Sequence, residues 1–329
     1  MATIKDIAAR VGVHPSTVSR VIAGKSKISD ATKQRVYDAM KELRYKPNLM
    51  ARRLATQSKT KILGVLLPNS NEFLFHNPFF IQVLSAISIY AKKYGYYVMH
   101  SNGEKEEQEV KILKDLVGSQ WVDGMILTTI RDHDGCVEYL NHAELPYVVI
   151  GAPDDSTASY SVDNDNEKAM ANATRRVIEL GHKTIAFIGG STEFLVNKHR
   201  LNGYRKAMAE ANLPVSDEMV FIGSDTENTG EVAMAKFLHS FIPEAVVTSD
   251  DLIAYGACQY FYHTQGHYIP VVGFNNTPVS RYRNPAFSSV DIHADKLGEY
   301  ATKLLIDQLE GRKPNEKCRI VDTALIERF

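Results

Sequence analysis

Lysine and arginine are the side chains whose placement here most clearly implies chemistry. The first sixty residues hold thirteen of them against four acids, a balance of +9, and the rest of the chain balances at −10. Cationic groups crowded on a small body neutralise phosphates and release the counterions condensed on a nucleic acid. The whole-chain charge of −1 therefore covers two bodies of opposite sign, a polyanion-binding head and a mildly acidic globule. Catalytic signatures are missing. The sequence has no GxxxxGK(S/T) phosphate loop, no GxGxxG after the first strand, no HExxH and no GxSxG, and no set of nucleophile, base and orienter can be named. Neither an enzyme nor a cofactor nor a metal site is expected.

The elements that must position these charges belong to an ordinary folded protein. At 329 residues with 44% hydrophobic and 23% charged side chains, the chain is long for one domain and too apolar for disorder. Its N-terminus, MATIKDIAARVGV, shows no secretory apolar segment, and no run approaches the roughly 20 apolar residues that span a bilayer, so a cytoplasmic location without a membrane partner is expected. Cys136, Cys258 and Cys318 lie far apart without a CxxC pair, which points to buried free thiols rather than disulfides or zinc.

Local patterns build the head from helices. Thr3-Ile4-Lys5-Asp6 has the form of a capping box and predicts a helix from about Ile4, with Ile4, Ile7, Ala8 and Val11 on one face. Gly12 supplies a turn that needs positive φ, and Pro15 suits the first position of a second helix reaching Val21, with Val18 and Val21 inward. A third helix is expected from a Ser29 cap to about Arg44, with Val36, Met40 and Leu43 closing the core. Two short helices around a glycine turn make a helix-turn-helix, which sets the start of its second helix in the DNA major groove.

From Thr3 to Ala55, through RYKPN and MARRLA, the sequence resembles the headpiece of the lactose/galactose repressor (LacI/GalR) family nearly without gaps. The resemblance implies a DNA-binding headpiece over 1–47, a hinge helix and linker over 48–60, and an effector-binding and dimerisation core over 61–329. Pro15 and Ser16 match its base-reading positions, and Arg20 matches an arginine that reaches a guanine edge in bidentate fashion. Thr17 and Ser19 match phosphate or base-edge contacts, with helix-start polarity as the alternative for both and for Ser16; Thr3 and Lys5 are further candidates for DNA contact. His14 stands where the family usually has a serine cap, so either the helix start frays or the imidazole serves a phosphate. Asn48 would cap a short hinge helix over 49–55 that orders on DNA, with Ala51 at the contact between paired hinges. Leu54 matches an apolar wedge for the minor groove, with a linker residue packing on the core as the alternative, and Asn48, Arg52 and Arg53 match backbone contacts.

Beyond Lys61 the pattern changes to strands alternating with helices. ILGVLLP, YYVMHSN, DGMILT and YVVIGA, then TIAFIGG, EMVFIG, AVVTSD and IPVVGF, read as buried strands of two parallel α/β lobes. Ligands of such sheets sit outside the carboxyl ends of the strands, here between the lobes. VDNDNEKAM, KHRLNGYRKAM, TSDDLIAYGA and VVGFNN resemble the effector core of the same family and the periplasmic sugar-binding proteins. The implied fold class is α/β: a two-lobed periplasmic-binding-protein-like core, with parallel sheets flanked by helices, behind a small all-α helix-turn-helix domain. The lobes would comprise about 61–161 plus 291–322 and 162–290 plus 323–329.

Arg200 matches an arginine that reaches into the cleft, where a planar guanidinium holds two sugar hydroxyls; the alternative is an interlobe salt bridge. Asp250, at a strand end, would accept from sugar hydroxyls or else cap a helix, and Asp251 matches a structural acid at the next helix start. Asn275 replaces the usual Asp of GFDD, keeping an acceptor, adding a donor and losing the charge. Of Phe79 and Phe80, one is expected to line the cleft by stacking on a sugar ring, with Phe79 the candidate. His76 and Asn77 are polar candidates without an assigned role, and Trp121 is expected at a packing or dimer surface.

Within the family, HNPFF, VDNDN, GGSTEFLVNKHRLNGY and TSDDLIAYG look most like maltose-operon repressors, which implies maltose or maltodextrin as effector. The sequence stops after what reads as a last strand, CRIVDTAL, without the apolar heptads of tetrameric relatives, so a homodimer on a pseudopalindromic operator is expected. The competing expectation is a catabolite-control-type regulator whose core docks a phosphocarrier protein as corepressor.

Overall fold

The computed structural model describes residues 2–22, 28–45, 59–68, 77–152, 160–282, 284, 286–314 and 316–328. Asn48, Ala51, Arg52, Arg53, Leu54 and His76, and with them the expected hinge helix, lie outside the described residues. The chain forms two compact units, Met1–Thr60 and Lys61–Phe329.

In the first unit, helices α1 (Ile4–Val11), α2 (Pro15–Ile22) and α3 (Asp30–Glu42) surround one small core. The capping box forms as the spacing demands: the Thr3 amide and hydroxyl both donate to Asp6 Oδ2, at 2.7 and 2.8 Å, and the Asp6 amide returns to the Thr3 hydroxyl at 3.4 Å. Gly12 ends α1 with φ of 72°, a left-handed value that a Cβ would oppose. Ile7, Val11, Val18, Val21 and Val36 are buried together, with Ile4, Met40 and Leu43 packed at the margin. The third helix stops at Glu42, two residues before the expected end, because Arg44 adopts a left-handed φ of 49°. Arg10 of α1 holds Glu42 at 2.9 Å, and Arg35 donates to the Val11 carbonyl.

The second unit holds two lobes. Lobe 1 is built on β1 (Ile62–Pro68), α4 (Pro78–Lys93), β2 (Tyr97–Gly103), α5 (Glu106–Gly118), β3 (Gly124–Leu127), α6 (Gly135–His142), β4 (Tyr147–Ile150) and β5 (Tyr160–Asp163). Lobe 2 follows with α7 (Asn166–Glu179), β6 (Ile185–Gly189), α8 (Leu195–Glu210), β7 (Val220–Ile222), α9 (Glu227–Ser240), β8 (Ala245–Thr248), α10 (Asp251–Gln265), β9 (Val271–Phe274), α11 (Pro278–Tyr282) and β10 (Ser288–Asp291). The chain then returns to lobe 1 for α12 (Ala294–Leu309) and β11 (Cys318–Ile320), and ends in lobe 2 with β12 (Ala324–Ile326). Among the described residues the sheet orders are β11-β5-β4-β3-β1-β2 and β12-β10-β9-β8-β6-β7, parallel except where β12 runs against β10. The inner strands are buried because helices cover both faces, which is why they read as continuous apolar runs.

Three crossovers join the lobes, and one side chain ties them. Asn164, just after β5, donates from its amide nitrogen to the carbonyls of Ile292 (3.1 Å) and Val321 (2.9 Å), which lie on the other two crossovers. The expected breaks at 161/162 and 290/291 fall inside β5 and β10, so the crossings lie one to two residues later. The run CRIVDTAL is not one strand: it leaves lobe 1 at Ile320, passes the buried Val321 and enters lobe 2 at Ala324. YSVD and SSVD, not read as strands, form β5 and β10, because their polar residues are buried by hydrogen bonding rather than by apolar contact. Cys136 and Cys258 are buried as expected, whereas Cys318 is exposed on an edge strand.

Candidate functional sites

On the head, α2 sorts its residues by face. Val18 and Val21 enter the core, while Ser16, Ser19 and Arg20 are exposed and Pro15 and Thr17 half-buried. Among the described residues Arg20 has no acidic partner, so its five N–H donors are available to a base edge. Lys5 is likewise exposed on α1. Thr3 spends its hydroxyl on the capping box, which holds the Asp6 carboxyl below its ordinary value through hydrogen bonds from the Thr3 backbone and hydroxyl. His14 Nδ1 accepts the Ser16 amide at 3.3 Å and lies 2.8 Å from the Ser16 hydroxyl. The imidazole thus caps the start of α2 through Nδ1.

Between the lobes lies a cleft enclosing about 730 Å³ of empty space, its open mouth included, a volume ordinary for a small-molecule site. Phe79, Arg200, Asp250 and Asn275, separated by up to almost two hundred positions in sequence, all line it. Phe80 lines it too, so both rings border the cleft; they meet edge to face at 5.0 Å, Phe80 backing into the lobe 1 core. With Ile130, Ile150 and Leu297 they make an apolar wall. Trp121 is 48% exposed and no part of the cleft.

Opposite stands a polar wall from lobe 2. Arg200, on α8, is buried with its guanidinium 3.8 Å over the Phe274 ring; Nε donates to Asn166 Oδ1 at 3.0 Å and Nη1 to the Ser249 carbonyl at 2.6 Å. Among the described residues no carboxylate pairs with it, so it is not an interlobe salt bridge. Burial brings its pKa down to about 10, against the opposing pull of Asp250, Asp225 and Asp163.

Asp250 caps α10 by accepting the Leu252 amide at 2.7 Å on Oδ1. Its Oδ2 accepts from Asn275 of the same lobe at 2.8 Å and from Asn77 of lobe 1 at 3.1 Å, a bond that spans the cleft. Burial, then the neighbouring Asp225 and Asp251, push its carboxyl up to about 8. Asp251 faces away, accepting the Thr277 amide and hydroxyl and the Ser289 hydroxyl, which is the structural part the sequence suggested. Asn275, at a φ of 96°, serves as donor to Asp250, the role an aspartate there could not fill.

Several cleft residues escaped the sequence reading: Asp163, Asn166, Asn197, Asp225, Ser249 and Phe194. Asp163 and Asn166 stood within the quoted VDNDN, where a polar cluster at a strand end was the available signal. Asp225 follows β7, an edge strand whose half-exposed residues gave no sign of a site. A second seam joins the lobes beside the cleft: Arg131 and Phe194 form a β-bridge, and the Leu195 amide donates to the Ile130 carbonyl at 3.1 Å.

Comparison with known proteins bears on both sites. Residues 3–48 match the family described as bacterial regulatory proteins, lacI family, and residues 60–321 match that of periplasmic binding proteins and sugar binding domain of LacI family. The HTH-type transcriptional regulator MalR of Streptococcus pneumoniae serotype 4 is 35% identical over 322 residues, covering 96% of this chain and 95% of that one. The solved structure described as a transcriptional regulator CelR–cellobiose complex is 28% identical with a TM-score of 0.76, covering 99% of this chain and 98% of its own. A lac repressor dimer bound to operator and the anti-inducer ONPF has the same fold, with a TM-score of 0.85 at 24% identity and coverage of 99% and 98%.

Proposed function

Because the chain belongs to the LacI family of bacterial regulatory proteins, and is a sugar-responsive DNA-binding transcriptional regulator rather than an enzyme, we propose that it represses a maltose or maltodextrin utilisation operon and leaves its operator when that sugar fills the interlobe cleft. The observation that carries this reading is the cleft's division into two walls on a chain so similar to MalR. Aromatic and aliphatic side chains match the apolar face of a pyranose, and the facing arginine, amides and carboxylates match its hydroxyls. A disaccharide also suits the likeness to a regulator solved with cellobiose.

In this reading Ser16 and Arg20 read base edges, Lys5 holds phosphate, and Asn48, Ala51, Arg52 and Leu54 form the hinge contacts at the centre of a pseudopalindromic site bound by a homodimer. Sugar must favour the conformation with low operator affinity, since equal affinity for both states shifts nothing. By linkage, operator then weakens sugar binding by the same factor.

Fluorescence anisotropy with an inverted-repeat duplex tests this. Maltose should lower operator affinity, and bound operator should lower maltose affinity equally. Operator binding that ignores maltose and maltotriose but tightens with a phosphocarrier protein would replace the proposal by the corepressor reading.

A further inference from the structure

Three aspartates border the cleft, and their hydrogen bonds divide them. A carboxylate offers about four acceptor positions. Asp163 uses Oδ1 for the Asn164 amide at 2.7 Å and the Asn166 side chain at 2.9 Å, and Oδ2 for the Ala152 amide at 2.8 Å. Asp250 uses Oδ1 for the Leu252 amide and Oδ2 for two asparagine amides, all between 2.7 and 3.1 Å. Both are therefore occupied in holding the protein together. Asp163 serves the first crossover, and Asp250 joins a helix start to the opposite lobe.

Asp225 is different. Among the described residues it accepts two bonds, from Asn197 Nδ2 and the Ser249 hydroxyl, each at the long distance of 3.4 Å. At that length both are weak, and both lone-pair sets remain open to a better donor. The residue is half-buried on the loop between β7 and α9, facing the cleft. Space for it is provided by Gly190: a Cβ there would stand 2.0 Å from Asp225 Oδ1 and 2.6 Å from Asn197 Nδ2. The Gly190 amide donates in turn to the Ser249 oxygen at 2.9 Å, which orients that hydroxyl toward Asp225. The neighbours thus position a carboxylate without satisfying it.

We infer that Asp225 is the specificity-determining acceptor of the cleft, taking hydrogen bonds from hydroxyls of a neutral sugar, while Asp250 acts as the clasp between the lobes. The inference rests on the reading of the cleft as a sugar site. A group that binds sugar directly changes the preference among sugars, because its replacement removes one hydroxyl contact. A group that holds the lobes changes affinity for all of them alike.

Full-length protein and its Asp225→Asn, Gly190→Ala and Asp250→Asn variants are titrated calorimetrically with maltose, maltotriose, cellobiose, lactose and glucose, after thermal melting shows each is folded. Asp225→Asn should weaken the tightest sugar at least tenfold and bring the panel to within about threefold of one another. Gly190→Ala should do the same with Asp225 still present, by displacing its carboxylate. Asp250→Asn should weaken the panel by a common factor and keep the order. Retention of affinity within threefold and of the order in Asp225→Asn would overturn the inference, as would reordering by Asp250→Asn alone. Should the wild type prefer a sugar other than maltose, the effector proposal fails while Asp225 is judged by its effect on that sugar. A wild type that binds none of the panel overturns both.

Discussion

The head and the cleft achieve recognition by opposite means. On α2, Ser16, Ser19 and Arg20 are exposed and sit on a helix held to the head by Val18 and Val21 on the other face. In the cleft, Arg200, Asp250 and Asn275 are buried, and their hydrogen bonds also join β8, α7, α8 and α10. The difference has a physical cause. DNA brings its own charge to a solvated surface, whereas a neutral sugar must be met by polar groups already desolvated and held in place. Binding and stability are therefore separable in the head and coupled in the core.

Substitution of Arg200 challenges that coupling most strongly. Arg200→Ala leaves the Asn166 and Ser249 acceptors unpaired and removes the cation facing Asp163, Asp225 and Asp250. It should cost about 3 to 5 kcal/mol of core stability together with sugar binding, read by urea unfolding and calorimetry. A variant that loses sugar but keeps stability would break the comparison.

The matching change in the head is Arg20→Ala. It should cost about 1 to 3 kcal/mol of discrimination at one base position per half-site and leave stability within about 0.5 kcal/mol, measured by competition anisotropy beside urea unfolding.

Titration sharpens the contrast, because the two regions respond to pH with opposite sign. The buried carboxyls of Asp250 and Asp251 are raised to about 8 and about 7, so the folded core binds protons that the unfolded chain has lost. Their contribution to stability is fully present below about pH 4 and is lost as pH rises toward 8, with a slope of up to about 1.4 kcal/mol per pH unit per proton. Asp6 and Asp30 in the head are lowered, by bonds from Thr3 and from Lys33, so their contribution is present above about pH 4 and lost as pH falls through the folded values. Hydrogen exchange followed by region should show the segments around Asp250 and Asp251 losing protection as pH rises from about 4 to about 8, over which α1 stays level, and α1 losing protection only as pH falls below about 4. Parallel profiles in both regions would count against these assignments.

Smallest is the cap itself. Thr3→Ala should lower head stability by about 1 kcal/mol and leave core unfolding unchanged, as two transitions followed separately would show.

How much was legible follows from how local each interaction is. The capping box, the Gly12 turn and Pro15 at a helix start are settled within a few residues, and the structure forms all three. The apolar inner strands were legible because burial on both faces leaves a continuous signal. β5 and β10 were not, since Ser161, Ser288 and Ser289 are buried through partners distant in sequence. The place of Phe80 is hidden from the sequence for a related reason: one ring faces core and cleft together, and periodicity does not separate the two.

Sequence by itself determined the charge division, the helical head, the two-lobed α/β pattern and the resemblance that named Arg200, Asp250 and Asn275. The tertiary structure alone decided what those residues touch. Asn164 reaches carbonyls 128 and 157 positions away, Asn77 meets Asp250 across 173, and only such meetings show which carboxylates are already satisfied and which one faces the cleft in want of a donor. Hydrogen-bond saturation is a property of groups brought together by folding, and no spacing along the chain encodes it.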